Sequence, residues 1–472
     1  MRGAAHPQPA DAPAHPDFAG VVLITVAILA TIFNDLKPLL PIGELSNDGF
    51  IYVMPLLLLY LLRAPGKIEI PVLPLLLALA LLAVIVLGIA ANYDAIARAY
   101  FKGRSGMSRV ITQMMALTLG LLVTLIFYNL TRMGFLPAMS RAARLALFVM
   151  AGVGVLELAS WRLLPGLTQA YDLLSAVIHA NSGVAYAQRL RMTAFEVSWA
   201  AVMITLLFPF GMITLRQGWT RILYVALVLG LVVLTQSRTA LLVIGAQASI
   251  FAWFSLSHRI DHMLHTVTLG LLAALVLLIS PVTRDAVSGK AMNMIEYGSL
   301  SGPRELDSTE NLSNVTRMAG INAGMAMFRE HPVIGVGFGQ FGFSYASHVR
   351  AADFRSWEVR KFVTDAEEDW PPAFSLHVRL LAETGLIGYA IWLLLLGPPL
   401  VRALRLSGMT TIEGRANLAV AMTLSGWLLL GMSIDTARFF GGWIALGVGF
   451  ALPVTGSLVA PAQGRTGTAI VV

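Results

Sequence analysis

Apolar stretches of roughly 17–22 residues, each long enough to cross a bilayer core as a helix, alternate with short polar connections along most of this chain. The pattern predicts an all-α polytopic membrane protein of about twelve spans, placed at 19–33, 49–63, 71–91, 110–130, 142–158 and 195–215 in the first half. The remaining six fall at 219–234, 238–256, 265–281, 378–400, 415–432 and 437–456. One long polar excursion, 283–376, interrupts the alternation between the ninth and tenth spans. Within it Met318, Ile321, Met325 and Phe328 recur at helical spacing, so a packed, partly helical cap is expected there, with those four on one face. A smaller amphipathic excursion covers 159–192, and no repeat of fixed period is found.

The resulting division is a disordered tail at 1–18, spans one to nine over 19–282, a cap over 283–376, spans ten to twelve over 377–458, and a tail at 459–472. Residues 1–18, rich in Ala, Pro and His, lack the apolar surface to fold. Composition agrees with membrane insertion: 57% of residues are hydrophobic and 12% charged, about half the share usual in soluble domains. The mean hydropathy is +0.74. The absence of cysteine excludes disulfides, thiol catalysis and thiolate metal sites.

A net charge of +7 does not imply nucleic acid, because the basic residues are spread over short connections instead of forming one patch. Arg63, Lys67, Arg132, Arg141, Arg144, Arg216, Arg221, Arg259, Arg402, Arg405 and Arg415 all follow even-numbered spans. By the positive-inside rule both termini are then cytoplasmic and the cap faces outward. The outward connection 92–109 runs against the rule with Arg98, Lys102, Arg104 and Arg109, and is expected to be an amphipathic interfacial helix.

This topology places Arg191, Arg238, Arg317 and Arg438 on the outward side. Guanidinium groups near membrane depth are costly and usually face a protein cavity, where their planar fork suits phosphate oxygens. Together they would hold a pyrophosphate without a metal, although each alone reads equally as a snorkelling or salt-bridged arginine. Arg189 and His331 join Arg191, Arg238 and Arg438 as candidate substrate contacts; Arg317 is a candidate catalytic contact from the cap. Arg191 is expected to open span six, with Glu196 five residues on, a little over one helical turn. Glu196 and His377, at the start of span ten, are the candidate proton acceptors, each with a plain structural alternative. No metal or other cofactor is expected. Asp365, Glu367, Glu368 and Asp369 read as a solvated acidic face, and Gly335, Gly337 and Gly339 as turn residues, since no βαβ unit surrounds them.

Three strings carry a resemblance. Asn314–Arg317 precedes Glu330-His331-Pro332-x-Ile334-Gly335-x-Gly337-x-Gly339, and the cap ends in Leu380-Leu381-Ala382-Glu383-Thr384-Gly385-Leu386-Ile387-Gly388. With Ser237-Arg238 and Arg191 ahead of Phe195-Glu196-Val197-Ser198, they resemble the bacterial O-antigen ligase and polymerase superfamily over roughly 180–456. The resemblance implies an inverting, metal-independent glycosyltransferase of the inner membrane. Its donor would be an oligosaccharide on undecaprenyl pyrophosphate, used at the periplasmic face. One departure stands out. Many ligases carry a His-Asn pair nine residues before the glutamate of the Leu-Leu-Ala-Glu string, and here those positions are Phe374 and Ser375. Either His377 substitutes, or Glu196 is the base.

The expected activity is therefore a polysaccharide polymerase joining lipid-linked repeat units, with a chain-length regulator as a possible partner. A ligase passing the glycan to a lipid A-core or protein acceptor is the alternative. A lipid-linked-saccharide transporter is the third reading, against which stand the cap and the lack of two matching halves with broken helices.

Overall fold

The computed structural model describes residues 17–40, 42–64, 68–161, 165–180, 189–215, 218–256, 309–364 and 369–453. The ninth expected span at 265–281, the first part of the cap and the acidic run 365–368 lie outside the described residues.

Eleven of the expected spans have a helix in the structure. They are α1 (Phe18–Ala30), α2 (Gly49–Arg63), α3 (Val72–Ala91), then, after a short α4 (Tyr93–Arg98), α5 (Gly106–Arg132) and α6 (Leu136–Ser160). The peripheral α7 (Pro165–Ile178) is followed by α8 (Val197–Gly211), α9 (Trp219–Thr235) and α10 (Arg238–Leu256). The cap contains α11 (Thr309–Glu330), α12 (Phe341–His348) and α13 (Trp357–Val363). Then come α14 (Leu376–Leu406), α15 (Ile412–Leu430) and α16 (Phe440–Ala451). Among the described residues, five of these helices are long and apolar enough to cross a membrane by length and composition: α3, α5, α6, α10 and α14. The protein is an all-α, multi-pass membrane protein.

Small residues let these helices approach closely. Gly120 of α5 lies against the indole of Trp443, and Gly442 of α16 against Trp427, so that a Cβ at either position would strike a ring. Trp392, Trp427 and Trp443 meet edge to face with centroids 5.1–5.7 Å apart, in the favourable quadrupole arrangement. Helix association inside lipid relies on this kind of close packing, because lipid tails are as apolar as the core side chains.

The helices alternate in direction, which sorts the connections into two ends. Arg132 pairs with Glu69, and Arg144, Arg221 and Arg415 gather on the carbonyls of 211–215, whereas the cap meets α5 at its opposite end, Gln340 Nε2 donating to Gly106 O at 3.1 Å. The exceptional basic connection 92–109 is not one amphipathic helix. It is α4 followed by a tight hairpin of β1 (Tyr100–Phe101) and β2 (Arg104–Ser105), turned by Lys102 and Gly103 at positive φ. Its cations hold the cap. The guanidinium of Arg109 stacks 4.5 Å and that of Arg104 5.5 Å from the ring centroid of Trp370, and Lys102 Nζ donates to the Lys361 carbonyl at 3.0 Å. These residues serve packing, which explains why they defy a rule about loop charge.

The cap has its own small core of Ala323, Met327, Phe341, Tyr345, Ala373 and Ala382. Burial pushes the Tyr345 phenol up from its ordinary value, and the Asp353 carboxylate holds the Arg350 guanidinium above its own. The packed face of α11 differs from the expected one. Thr316, Ala319, Gly320, Ala323, Gly324 and Met327 are buried, whereas Met318 is 50% exposed and Ile321, Met325 and Phe328 only half-buried. A Cβ at Gly324 would meet Val378 of α14, and one at Gly320 the Pro372 carbonyl. Close approach to the start of α14 selects the small-residue face over the bulky one.

Candidate active site

Two of the strings that carry the family resemblance are locked to each other. Gly385 interrupts α14 with φ 63° and ψ −168°, a region open essentially to glycine alone. The break frees backbone groups, which the cap loop satisfies: Val336 N donates to Ala382 O at 2.8 Å, and Leu386 N to Pro332 O at 2.8 Å. A Cβ on Gly335 would collide with the Glu383–Thr384 backbone, and one on Gly385 with Val333. Irregular backbone near membrane depth is tolerated only where protein satisfies it, and here 331–336 does so. The Glu383 carboxylate accepts from Phe341 N and from Arg379 Nε, both at 3.2 Å. Thus the glycines and the glutamate of these strings form a clasp between cap and bundle.

Three further segments meet at the same end. Leu190 N donates to Leu234 O at 3.1 Å and Arg189 Nε to Thr235 O at 3.3 Å, which sets the 189–196 loop beside Gln236-Ser237-Arg238. Ala373 N donates to Asp435 Oδ2 at 2.7 Å, and Arg379 Nη1 to Asp435 O at 3.0 Å, which ties the cap's exit to the turn before α16. Of the four non-glycine residues at positive φ among the described residues, Met192, Gln236 and Phe374 lie in or beside these segments. For a bulky residue such as Phe374 this conformation is an outlier, and strained backbone of this kind clusters at functional sites.

The structure places each candidate differently. Arg191 is 1% exposed and is not at a helix start, since α8 begins at Val197. Its backbone N donates to Glu157 Oε1 at 3.2 Å, its Nη2 to Ser175 Oγ at 3.4 Å, and its Nη1 lies 3.9 Å from Asp35 Oδ2. His179 Nδ1 lies 3.1 Å from the same Asp35 oxygen. Arg191 thus anchors a buried network of four charged or titratable groups, and the helical spacing that would pair it with Glu196 does not exist. Asn34 completes the support by accepting from Phe195 N at 2.8 Å.

Glu196 is half-buried at the N-cap of α8, with its carboxylate bonded by the Ser198 hydroxyl. One turn on, Trp199 packs under the Arg438 guanidinium, 5.1 Å from centroid to carbon, and against Phe439. Arg438 and Trp199 line a shallow cavity with Thr31, Asn34, Asp48 and Met203. It measures about 350 Å³ counted to its open mouth, with inner room for little more than a water-sized group. Arg238 is exposed at the first turn of α10. Arg317 is exposed on α11 and stacks 5.3 Å over the ring of Phe374. His331 is exposed at the end of α11.

His377 turns into the bundle. Its Nε2 lies 2.8 Å from the Leu428 carbonyl and so carries the proton, while Nδ1 lies 3.3 Å from the Tyr389 hydroxyl. Both ring nitrogens are engaged between α14 and α15.

Sequence reading missed Arg379, Asp435, Glu157, Asp35 and His179. Glu157 was available as a signal, because a carboxylate inside an apolar span is a site candidate by default. Among the described residues no group of three His, Asp or Glu side chains converges in a metal-binding arrangement. Asp369, the described member of the acidic run, pairs with Lys361.

Residues 223–393 match the family model described as O-antigen ligase. The match runs from α9 through the cap to the middle of α14, and it supports the O-antigen ligase and polymerase superfamily. No curated protein matches the chain.

Proposed function

We propose that this membrane protein is a polysaccharide polymerase, an inverting glycosyltransferase that joins oligosaccharide repeat units carried on undecaprenyl pyrophosphate. The cap end of the bundle faces the periplasm, both termini are cytoplasmic, and the membrane is the bacterial inner membrane; the clustering of loop arginines at the opposite end supports this orientation. The observation that carries the reading is the gathering of strained Met192, Gln236 and Phe374 around one end that also bears Glu196, Arg238, Arg317 and Arg438.

Arg238, Arg317 and Arg438 bind the donor pyrophosphate. Two of them are stacked on aromatic rings, which pre-orders the guanidinium before the substrate arrives. In the reaction the acceptor hydroxyl oxygen attacks the anomeric carbon from the side opposite the pyrophosphate. The bond from that carbon to the phosphate oxygen breaks, its electron pair leaves with the pyrophosphate, and the hydroxyl proton passes to Glu196. The arginines stabilise the charge that accumulates on the leaving group. Arg191, buried and already bonded, positions the loop bearing Glu196; Arg189 does the same against α9.

The polymerase reading over the ligase reading rests on the histidine. The position that carries it in many ligases is Phe374 here, and His377 is held by Leu428 and Tyr389 inside the bundle. The description of the family model favours the second reading, a ligase. Reconstitution in liposomes with a purified lipid-linked repeat unit separates them: a ladder of products supports polymerase, one transfer to an added acceptor indicates ligase, and movement without chemistry indicates a transporter.

A further inference from the structure

The end of the bundle opposite the cap holds a second cluster of arginines that the glycosyl-transfer reading does not use. Helix α8 ends at Gly211 and the chain continues as a turn through 212–215, where the last helical carbonyls lack helical partners. Arg415 Nε donates to Ile213 O at 2.7 Å, Arg221 Nη2 to Leu215 O at 2.9 Å, and Arg144 Nη1 to Gly211 O at 2.7 Å. Three guanidiniums therefore surround one helix C-terminus.

Capping accounts for part of this. A helix C-terminus carries the equivalent of roughly half a negative charge, so three cations overcompensate it severalfold. Arg221 is 9% exposed, and its Nε is buried with no hydrogen-bond partner. An unsatisfied buried guanidinium donor is expensive unless an anion completes it. Arg221 and Arg415 both line one shallow pocket of about 230 Å³, counted to its open mouth, with Pro209, Met212, Phe251 and Met422, and among the described residues no carboxylate lines it.

We propose that this pocket binds the phosphate of an anionic phospholipid. The phosphate would accept from the parts of the Arg221 and Arg415 guanidiniums that line the pocket and would balance the excess charge. The source is a lipid and not free phosphate, because the pocket wall is otherwise apolar, which suits a glycerol backbone and the first acyl carbons. Its surroundings fit the depth of headgroups: Trp219, two residues before Arg221, is 77% exposed, and Trp253, two residues beyond Phe251, is 72% exposed. This site is independent of the proposed activity.

The test is native mass spectrometry of the full-length protein in detergent, titrated with phosphatidylglycerol or phosphatidylcholine of matched acyl chains. The wild type should take up the first phosphatidylglycerol with a Kd roughly thirtyfold below that of phosphatidylcholine, the equivalent of two arginines near a surface phosphate. Arg221→Gln with Arg415→Gln, which keeps donors for the carbonyls, should remove that preference. If the double variant fails to fold, Phe251→Glu retains both arginines, places a carboxylate in the pocket, and should remove the preference equally. Equal affinity for the two lipids in the wild type overturns the proposal, as does a preference that survives in the folded variants. Competition by equimolar inorganic phosphate would show a free-anion site and overturn the lipid assignment.

Discussion

The two ends of the bundle are both rich in arginine and use it in different ways. At the cap end Arg191 and Arg379 are bonded to carboxylates and fix loops, while Arg317 and Arg438 lie on aromatic rings with a cavity beside the latter. At the other end Arg144, Arg221 and Arg415 donate to main-chain carbonyls around one helix terminus. The difference is chemical. Carboxylate pairs hold a loop in one geometry, as a reaction centre needs, whereas carbonyl partners leave the positive charge uncompensated and ready for an anion.

Removing one arginine from each end should break the symmetry most visibly. Arg191→Met leaves Asp35 and Glu157 buried without their cation, and should cost about 3–5 kcal/mol of stability. Arg415→Met removes bonds to carbonyls only and should cost about 1–2 kcal/mol. Denaturant or thermal unfolding in detergent compares them, and equal losses would erase the distinction drawn here. Next in size is Gly385→Ala. Its alanine must adopt a backbone conformation costing about 1–3 kcal/mol and also displace Val333. Proteolysis should then cut 331–364 at least tenfold faster while the bundle stays intact; unchanged cleavage would mean that the clasp does not hold the cap. The smallest expected effect is none: turnover should survive excess chelator, because arginines supply the charge. Loss in EDTA that magnesium restores would move attention to Asp365–Asp369.

Much of the bundle was legible from hydropathy, since a span must be apolar whatever it packs against. Interactions across the chain were not. The Arg191 partners Asp35 and Glu157 lie far away in sequence, and the five-residue step to Glu196 invited a helical pairing that the turn at 192–196 does not allow. The α11 face was misread for a related reason: amphipathic period favours bulky Met318 and Phe328, but close packing on Val378 requires Gly320 and Gly324. His377, read as a displaced catalytic histidine, has partners for both ring nitrogens in Leu428 and Tyr389, and the Leu428 contact lies far along the chain. The glycines of 335–339 were rightly read as turn residues, and what the sequence hid was their partner, the break at Gly385.

The central claim is that chemistry occurs at the cap end with Glu196 as the proton acceptor. Initial rates of glycosyl transfer in proteoliposomes, measured for Glu196→Gln beside wild type with a lipid-linked repeat unit, test it most directly. The account predicts retained donor binding and a turnover reduced by about 10²–10⁴-fold, the usual range for loss of a general base. Turnover within twofold of wild type would contradict it.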